Sequence, residues 1–484
     1  MGELVAVLDK KGQEAAERAM SMLEVLAPKN PNAYGIATSS TTRIELTFDA
    51  LQKANIEKAH VALGYVFSQI LPTDEPQPTK FKEATMVFEG RIYPPMINVS
   101  DVEVAANRLF LNSEKAVEAF IRNVDGDFAF AIAKPKRIIA GRDPMGVQPL
   151  YYGENANFAA LTSARKALWK IGIKQVRSFP PGHLALVDEK GFKFKPAKVL
   201  SYSKPAQMAM ASAVKELEAL LKCSVKARVH GLKEVAVAFS GGIDSSLIAF
   251  LAKEFSVDVQ LIHVSLENRL ETKHAQMAAE KLKLPLHVYL FNEDDVEAAL
   301  PKVVWLIEEA DAAKLSIGTP FYWAAEKTAE MGLKVLLTGQ GADELFGGYK
   351  RYVNYYLLQN GEVVHRKMFA DILRLHEKNI ERDVKICKFH GVELRLPFAT
   401  YEIAKFAARL PTELKIERRQ DALRKVILRN VAKNLGFPSG MVEYPKRAIQ
   451  YATGVDKAIK KLSRKKGMRV KEYLNDVFQK VMKI

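Results

Sequence analysis

The period of apolar and polar positions changes once along this chain, near residue 200. Before that point the chain reads as short strands with two or three helices. Ala59-His-Val-Ala-Leu-Gly64 and Ala84-Thr-Met-Val-Phe88 read as strands, whereas residues 14–26 carry helical spacing. Ser100-Asp101 is a cap for a helix starting near Val102. Gly126-Asp-Phe-Ala-Phe-Ala-Ile-Ala133 predicts another strand, and residues 137–152 predict a strand, a turn and a strand. Tyr202-Ser-Lys-Pro-Ala206 then interrupts the pattern as a linker, and Met210, Val214, Leu217 and Leu221 mark one face of a helix. Beyond it, an unbroken apolar run at 235–239 and further strand-like runs at 259–264, 286–290 and 335–337 alternate with helical stretches. Runs without alternation suit strands buried on both faces, so this half predicts a doubly wound parallel sheet. Past about residue 350 the pattern is mostly helical. Two domains follow, 1–200 and 207–484.

The first strand of the second domain runs directly into Phe239-Ser-Gly-Gly-Ile-Asp-Ser-Ser246. Gly241 and Gly242 let successive N–H groups point at one anion, and Asp244, Ser245 and Ser246 fall in the first turn of the next helix, where orphan N–H groups favour phosphate. The stretch is a pyrophosphate cradle. It is not a Walker loop, because the G-x-x-x-x-G-K-[ST] spacing and its lysine are missing. A carboxylate beside a polyphosphate is explained by Mg²⁺, so Asp244 is a candidate metal ligand. A second strand ends in Leu337-Thr-Gly-Gln-Gly-Ala-Asp-Glu-Leu-Phe-Gly-Gly-Tyr349, where Asp343 supplies another carboxylate for the same ion. Ligands on such sheets sit at the carboxyl ends of the strands, which directs attention to Val264.

Composition narrows the setting. At 484 residues and 48% hydrophobic, the chain has material for two or three cores. No apolar stretch approaches the ~20 residues that cross a bilayer, and a cytoplasmic protein without a membrane partner is expected. Its two cysteines, Cys223 and Cys387, exclude a disulfide framework or a cysteine zinc site; the helical pattern puts Cys223 on an apolar face. The net charge of +16 and a basic run from Lys460 to Lys471 raise RNA as a secondary partner, although a solvated helix accounts for the run equally well.

The Ser-Gly-Gly-Ile-Asp-Ser motif resembles the PP-loop ATP pyrophosphatases. With Thr338 to Tyr349, Gly391-Val-Glu-Leu-Arg-Leu-Pro-Phe398 and Lys446-Arg-Ala-Ile-Gln-Tyr451 in order, residues 210–455 closely resemble the synthetase domain of asparagine synthetases. Phe88-Glu-Gly-Arg-Ile-Tyr93, Gly126-Asp127, Gly141-Arg-Asp-Pro-Met-Gly146, Pro149-Leu-Tyr-Tyr152 and Ser163-Ala-Arg-Lys-Ala-Leu168 resemble that family's glutaminase domain. The resemblance implies an α/β protein: an N-terminal four-layer αββα sandwich of the Ntn type, then a PP-loop domain with a helical C-terminal part. It implies adenylation of a carboxylate, aspartate first, by ATP and Mg²⁺, with AMP and pyrophosphate released and ammonia or glutamine-derived nitrogen completing the amide. Ala238, Ser240, Gly241, Gly242, Asp244, Ser245, Val264, Thr338 and Gly339 would hold the nucleotide, Asp244 and Asp343 the metal. Gln340 and Lys446 take the catalytic places, Lys446 (with Arg447 beside it) offsetting charge on the leaving pyrophosphate. A homodimer is the assembly considered. The alternative is a PP-loop enzyme adenylating another carboxylate or tRNA.

Departures from the family pattern matter as much. Gly2 stands where the nucleophilic cysteine belongs, and glycine has no side chain to attack an amide. Glu89 replaces the asparagine that donates to the oxyanion, and an ionised carboxylate cannot donate. Ala62 replaces the arginine that grips the substrate carboxylate, while Gly90 and Asp101 are retained. The first domain is therefore expected to be an inactive scaffold. Gln340 occupies the place of a glutamate and cannot act as a base. Lys314 and Ser316 are expected where the family's threonine and arginine bind the acceptor's α-carboxylate.

Overall fold

The computed structural model describes residues 1–484 except 27, 82–83, 97, 110–112, 420–422, 445–452 and 484. It divides into two units, the first formed by Met1–Val199 with Lys388–Glu393 and a few terminal residues, the second by Leu200–Cys387 and Leu394–Val481.

The first unit stacks a seven-stranded and a six-stranded sheet. Gly2–Asp9 runs antiparallel between Val61–Phe67 and Phe158–Thr162 near the middle of one, with Val5 opposite Gly64 and Thr162. Ala84–Ile92 pairs with Gly126–Lys134 in the other, with Phe88 opposite Phe130. The two-residue period decides the layers. Leu4 and Ala6 join Leu63, Val87, Ala129 and Ala131 in a core between the sheets. Val5 and Val7 point the opposite way, against Ala15, Ala19 and Leu23 of the helix Ala15–Glu24. On the far side, Phe88, Phe128 and Phe130 meet Val102, Ala105 and Phe120 from the helices Asp101–Arg108 and Glu114–Asn123. Each fully buried phenylalanine of this kind contributes about 1.5–3 kcal/mol relative to an exposed one. The result is the expected helix, sheet, sheet, helix order. Ser100 caps its helix by accepting from Glu103 N–H at 3.3 Å.

The second unit is built on five strands: β1 (Glu234–Ala238), β2 (Asp258–Leu266), β3 (Leu286–Phe291), β4 (Val335–Leu337) and β5 (Glu393–Arg395). Their order across the sheet is β3-β2-β1-β4-β5, and β1 pairs in parallel with both β2 and β4. Sequence order runs outward in opposite directions from β1 and β4, so the sheet has its switch point between them. A crevice opens there, outside the carboxyl ends of the strands. Val235, Ala236 and Val237 are fully buried, as the unbroken apolar run requires. The short β5 has no counterpart in the sequence-based reading.

Two expectations need correction or a local reason. Cys223 is exposed: the helix α1 (Met210–Val229) buries Leu217, Leu221, Ser224, Val225 and Arg228, and residue 223 lies on the opposite face. Part of the basic run is answered by acids: Lys461 Nζ meets Glu293 at 2.7 Å, Lys466 meets Glu297 at 3.2 Å and Lys460 meets Asp456 at 2.7 Å. Among the described residues, no helix is long and apolar enough to cross a membrane.

Candidate nucleotide site at the switch point

The loop after β4 meets the start of the helix after β1 at Gly339, and Gly241 lets the β1 loop pack against a neighbouring helix. Gly241 has φ +72°, and a Cβ on it would press to 3.0 Å on Ala275 of helix α2 (Leu270–Leu282). Gly339 abuts the first turn of helix α3 (Ile243–Glu254), where a Cβ would lie 2.7 Å from Asp244 Cβ. Ser245 Oγ closes the first loop by donating to Gly242 O at 3.2 Å and accepting from Ser240 N–H at 3.3 Å.

One cavity lies over this junction. Its walls include Ala238, Ser240, Gly242, Asp244, Ser245, Val264, Thr338, Gly339, Gln340 and Asp343. The structure thus brings the candidate residues of both loops together. Gly241 belongs to the loop without lining the cavity. Lys446 and Arg447 lie outside the described residues.

Several residues that the sequence-based reading missed complete the site. Lys425 sends its ammonium between the two candidate metal ligands, bonding Asp244 Oδ2 and reaching Asp343 Oδ1 at 2.6 Å. Arg382, Asn379 and Arg429 line the same cavity. Arg382 Nε and Nη2 hold Asp383 at 2.7 and 3.0 Å, and Asp383 Oδ2 also accepts from Gln340 Nε2 at 2.6 Å. Burial raises the Asp383 carboxyl above its ordinary range. Glu344 is likewise raised, by burial and then by neighbouring Asp343, and accepts from Asn379 Nδ2 at 2.7 Å. Asn379 and Arg382 straddle the end of a π-turn, His376–Ile380, a device frequent at functional sites. The available signal was charge at core phases: Glu381, Arg382, Asp383 and Lys385 are buried in a helix shared with Val384, Ile386 and Cys387.

Lys314 and Ser316 do not face the cavity. Lys314 Nζ is held by Glu309 at 2.7 Å and Glu377 O at 2.9 Å, and Ser316 Oγ donates to Ala313 O at 3.0 Å. Their helix, Ala312–Glu330, presents Ile317, Pro320, Phe321 and Ala324 instead. The expectation that they read the acceptor is corrected accordingly.

The donor set fits a magnesium–polyphosphate and not a metal bound by protein alone. Two carboxylate oxygens converge tightly enough to share one ammonium, which is the arrangement a hard cation needs from two of its ligands. Among the described residues there is no group of three or more metal-type side chains, so phosphate oxygens and water would have to supply the remainder.

In the first unit, Gly2 is tied to a buried polar cluster. Glu89, fully buried, accepts from Gly2 N–H at 2.6 Å and Tyr65 OH at 2.5 Å, and pairs with Lys388 Nζ at 2.8 Å. A Cβ on Gly2 would overlap the Val66 carbonyl oxygen and come within 2.7 Å of the Tyr65 ring. Asp101 is taken by Arg91 Nη1 at 2.7 Å and by Ile92 N–H at 2.9 Å. Ala62 is buried in its strand.

Residues 216–362 and 356–476, more than half of the chain, match the asparagine synthase family. The chain belongs to that family. Residues 67–170 match the glutamine amidotransferase domain family. A Methanocaldococcus jannaschii protein carrying the name of a glutamine-hydrolyzing asparagine synthetase is 29% identical over the whole of this chain and 99% of its own length. Asparagine synthetase 2 (glutamine-hydrolyzing) of Arabidopsis thaliana is 26% identical over 74% of this chain, and the chain spans 64% of that relative. Among solved structures, glutamine phosphoribosylpyrophosphate amidotransferase from B. subtilis, complexed with ADP and GMP, aligns at 13% identity over 59% of this chain and 80% of that one, with a TM-score of 0.36.

Proposed function

We propose that this chain converts aspartate to asparagine, using ATP and ammonia and releasing AMP and pyrophosphate. The observation carrying the reading is the meeting of a phosphate loop and two convergent carboxylates at the switch point of a sheet whose chain belongs to the asparagine synthase family. The backbone N–H groups from Ser240 to Ser246 bind the β- and γ-phosphates, helped by the positive end of the α3 helix. Asp244 and Asp343 hold Mg²⁺, which when bound offsets charge on the polyphosphate. Ala238, Val264 and the Thr338-Gly339 backbone hold adenosine. The acceptor's side-chain carboxylate oxygen bonds to the α-phosphorus as the bond to the β-phosphate oxygen breaks. Ammonia then adds to the acyl carbon, AMP leaves, and the proton lost by nitrogen goes to solvent.

On the acceptor side, Arg382 takes the role considered for Lys314. Its guanidinium is fixed by Asp383 and borders the cavity next to Gln340 and Asn379, so it can bind a carboxylate by charge-assisted hydrogen bonds. Gln340, tied to Asp383, positions the acceptor without exchanging a proton.

Nitrogen enters as ammonia. The Glu89, Tyr65, Lys388 cluster and the lack of room on Gly2 oppose amide attack in the first unit, whatever its retained sandwich. The tRNA reading is less favoured, because Lys460, Lys461 and Lys466 of the basic run that motivated it are paired with acids. The test is aspartate-dependent exchange of labelled pyrophosphate into ATP with ammonium present, screened beside other carboxylic acids. Stimulation by another acid and none by aspartate would overturn the acceptor.

A further inference from the structure

Lys425 is built into the site more firmly than a passing surface cation. It is 1% exposed at its side chain and has φ +61°, a left-handed conformation rare for a residue with a side chain. It sits at the start of helix α4 (Val426–Asn434), and the chain on either side is pinned: Val426 N–H donates to Lys415 O at 2.9 Å, and Arg424 Nη1 donates to Gly348 O at 2.8 Å. The lysine stem passes where a Cβ on Gly348 would be, and that Cβ would also overlap Asp343 Oδ1. Gly348, Lys425 and Asp343 are therefore mutually fitted. The ammonium reaches both Asp244 and Asp343, each from a different glycine loop.

An ammonium and a divalent ion drawn to the same two oxygens compete for them. We infer that Lys425 is a resident counter-cation that keeps the Asp244–Asp343 pair assembled and lowers its affinity for divalent metal when no nucleotide is bound. Nucleotide phosphates supply the ligands and the negative charge that let metal and lysine share the site, so metal enters with ATP and not ahead of it. Lys425 is thereby a positioning residue, acting through the two carboxylates. The inference rests on the proposed metal role of that pair, but its readout is metal affinity, which is measured apart from asparagine formation.

The experiment titrates Mn²⁺ alone into the full chain without nucleotide, following free Mn²⁺ by electron paramagnetic resonance. Lys425→Met, which keeps the stem and removes the charge, is expected to bind Mn²⁺ at least about tenfold more tightly than wild type. Lys425→Arg, which keeps the charge, is expected to stay within about threefold. Asp343→Asn added to Lys425→Met should abolish the gain. If Lys425→Met does not fold by circular dichroism, Lys425→Gln is read by the same criterion. Mn²⁺ affinity unchanged or weakened in the folded uncharged variant overturns the inference, even where the wild type forms AMP and asparagine as proposed.

Discussion

Lys415 offers a quantitative test of how the site's floor is built. The residue is 1% exposed, its Nζ donates to Ala407 O at 2.6 Å at the end of the helix Tyr401–Arg409, and its own carbonyl holds Val426 directly after Lys425. Burial pushes its pKa from 10.5 down to about 7, with no carboxylate to offset the loss of water. Between about pH 7 and 10.5 the unfolded chain carries a proton here that the folded chain has released, so stability from this group rises with pH. The penalty is complete below about pH 7 and is relieved as pH climbs toward 10.5. That interval corresponds to about 5 kcal/mol in all, of which about 4 kcal/mol is felt at pH 7 and about 2 at pH 9. Lys415→Met keeps the stem and forfeits one hydrogen bond of about 1 kcal/mol. The expected net gain is about 3 kcal/mol at pH 7 and about 1 kcal/mol at pH 9. In melting temperature this is a rise of roughly 6–12 °C at pH 7, shrinking severalfold by pH 9. Two units need not unfold together, so the measurement is the shift of the affected calorimetric transition, not a global unfolding energy. A gain of equal size at both pH values, or a loss at pH 7, would refute the electrostatic reasoning.

The other expectations are more directly about chemistry. Asp244→Asn should lower AMP and pyrophosphate formation by at least about 100-fold while leaving the circular dichroism spectrum intact, because Lys425 still has Asp343; ADP as the wild-type product would sink the pyrophosphatase reading. Gly2→Cys should release no glutamate from glutamine above an enzyme-free blank and should lower the melting temperature, as the new Cβ displaces the Val66 strand at about 1–3 kcal/mol; glutaminase activity in this single variant would show that the Glu89 cluster does not block attack. Arg382→Lys should raise KM for the acceptor by roughly ten- to hundredfold with KM for ATP little changed, since a point charge replaces a fixed fork; equal effects on both would assign Arg382 to the nucleotide.

The architecture was legible because period and burial go together. Leu4, Val5, Ala6 and Val7 alternate between two cores, one between the sheets and one under a helix, and Val235 to Val237 are apolar without a break because β1 is covered on both faces. The phosphate loop was legible for a related reason: glycines and a helix start lie within eight consecutive residues. What stayed hidden joins positions far apart in sequence. Lys425 is 181 residues from Asp244, and Gln340 is 43 from Asp383, so neither pairing has a local period. Cys223 neighbours Leu221 and Ser224 in sequence, but the helical wheel turns it to the face opposite theirs, so apolar neighbours along the chain do not fix its side.

Lys314 and Ser316 failed for a different reason, and the difference bears on the acceptor. Matching by spacing puts Lys314 and Ser316 in the places of the family's threonine and arginine, although a serine cannot give the two parallel bonds of a guanidinium. Once the guanidinium is absent from position 316, nothing requires the serine to face the cavity, and its hydroxyl is satisfied within its own helix by Ala313 O. The charge that an amino-dicarboxylate needs is available at the cavity in Arg382, already oriented by a buried carboxylate. A planar fork fixed in this way reads a carboxylate with more geometric selectivity than a flexible lysine would. Acceptors lacking an α-carboxylate should therefore be adenylated poorly even when their side-chain carboxylate is identical to that of aspartate. Comparing aspartate with β-alanine in the pyrophosphate exchange assay isolates that group. Equal stimulation by the two would remove Arg382 from acceptor recognition.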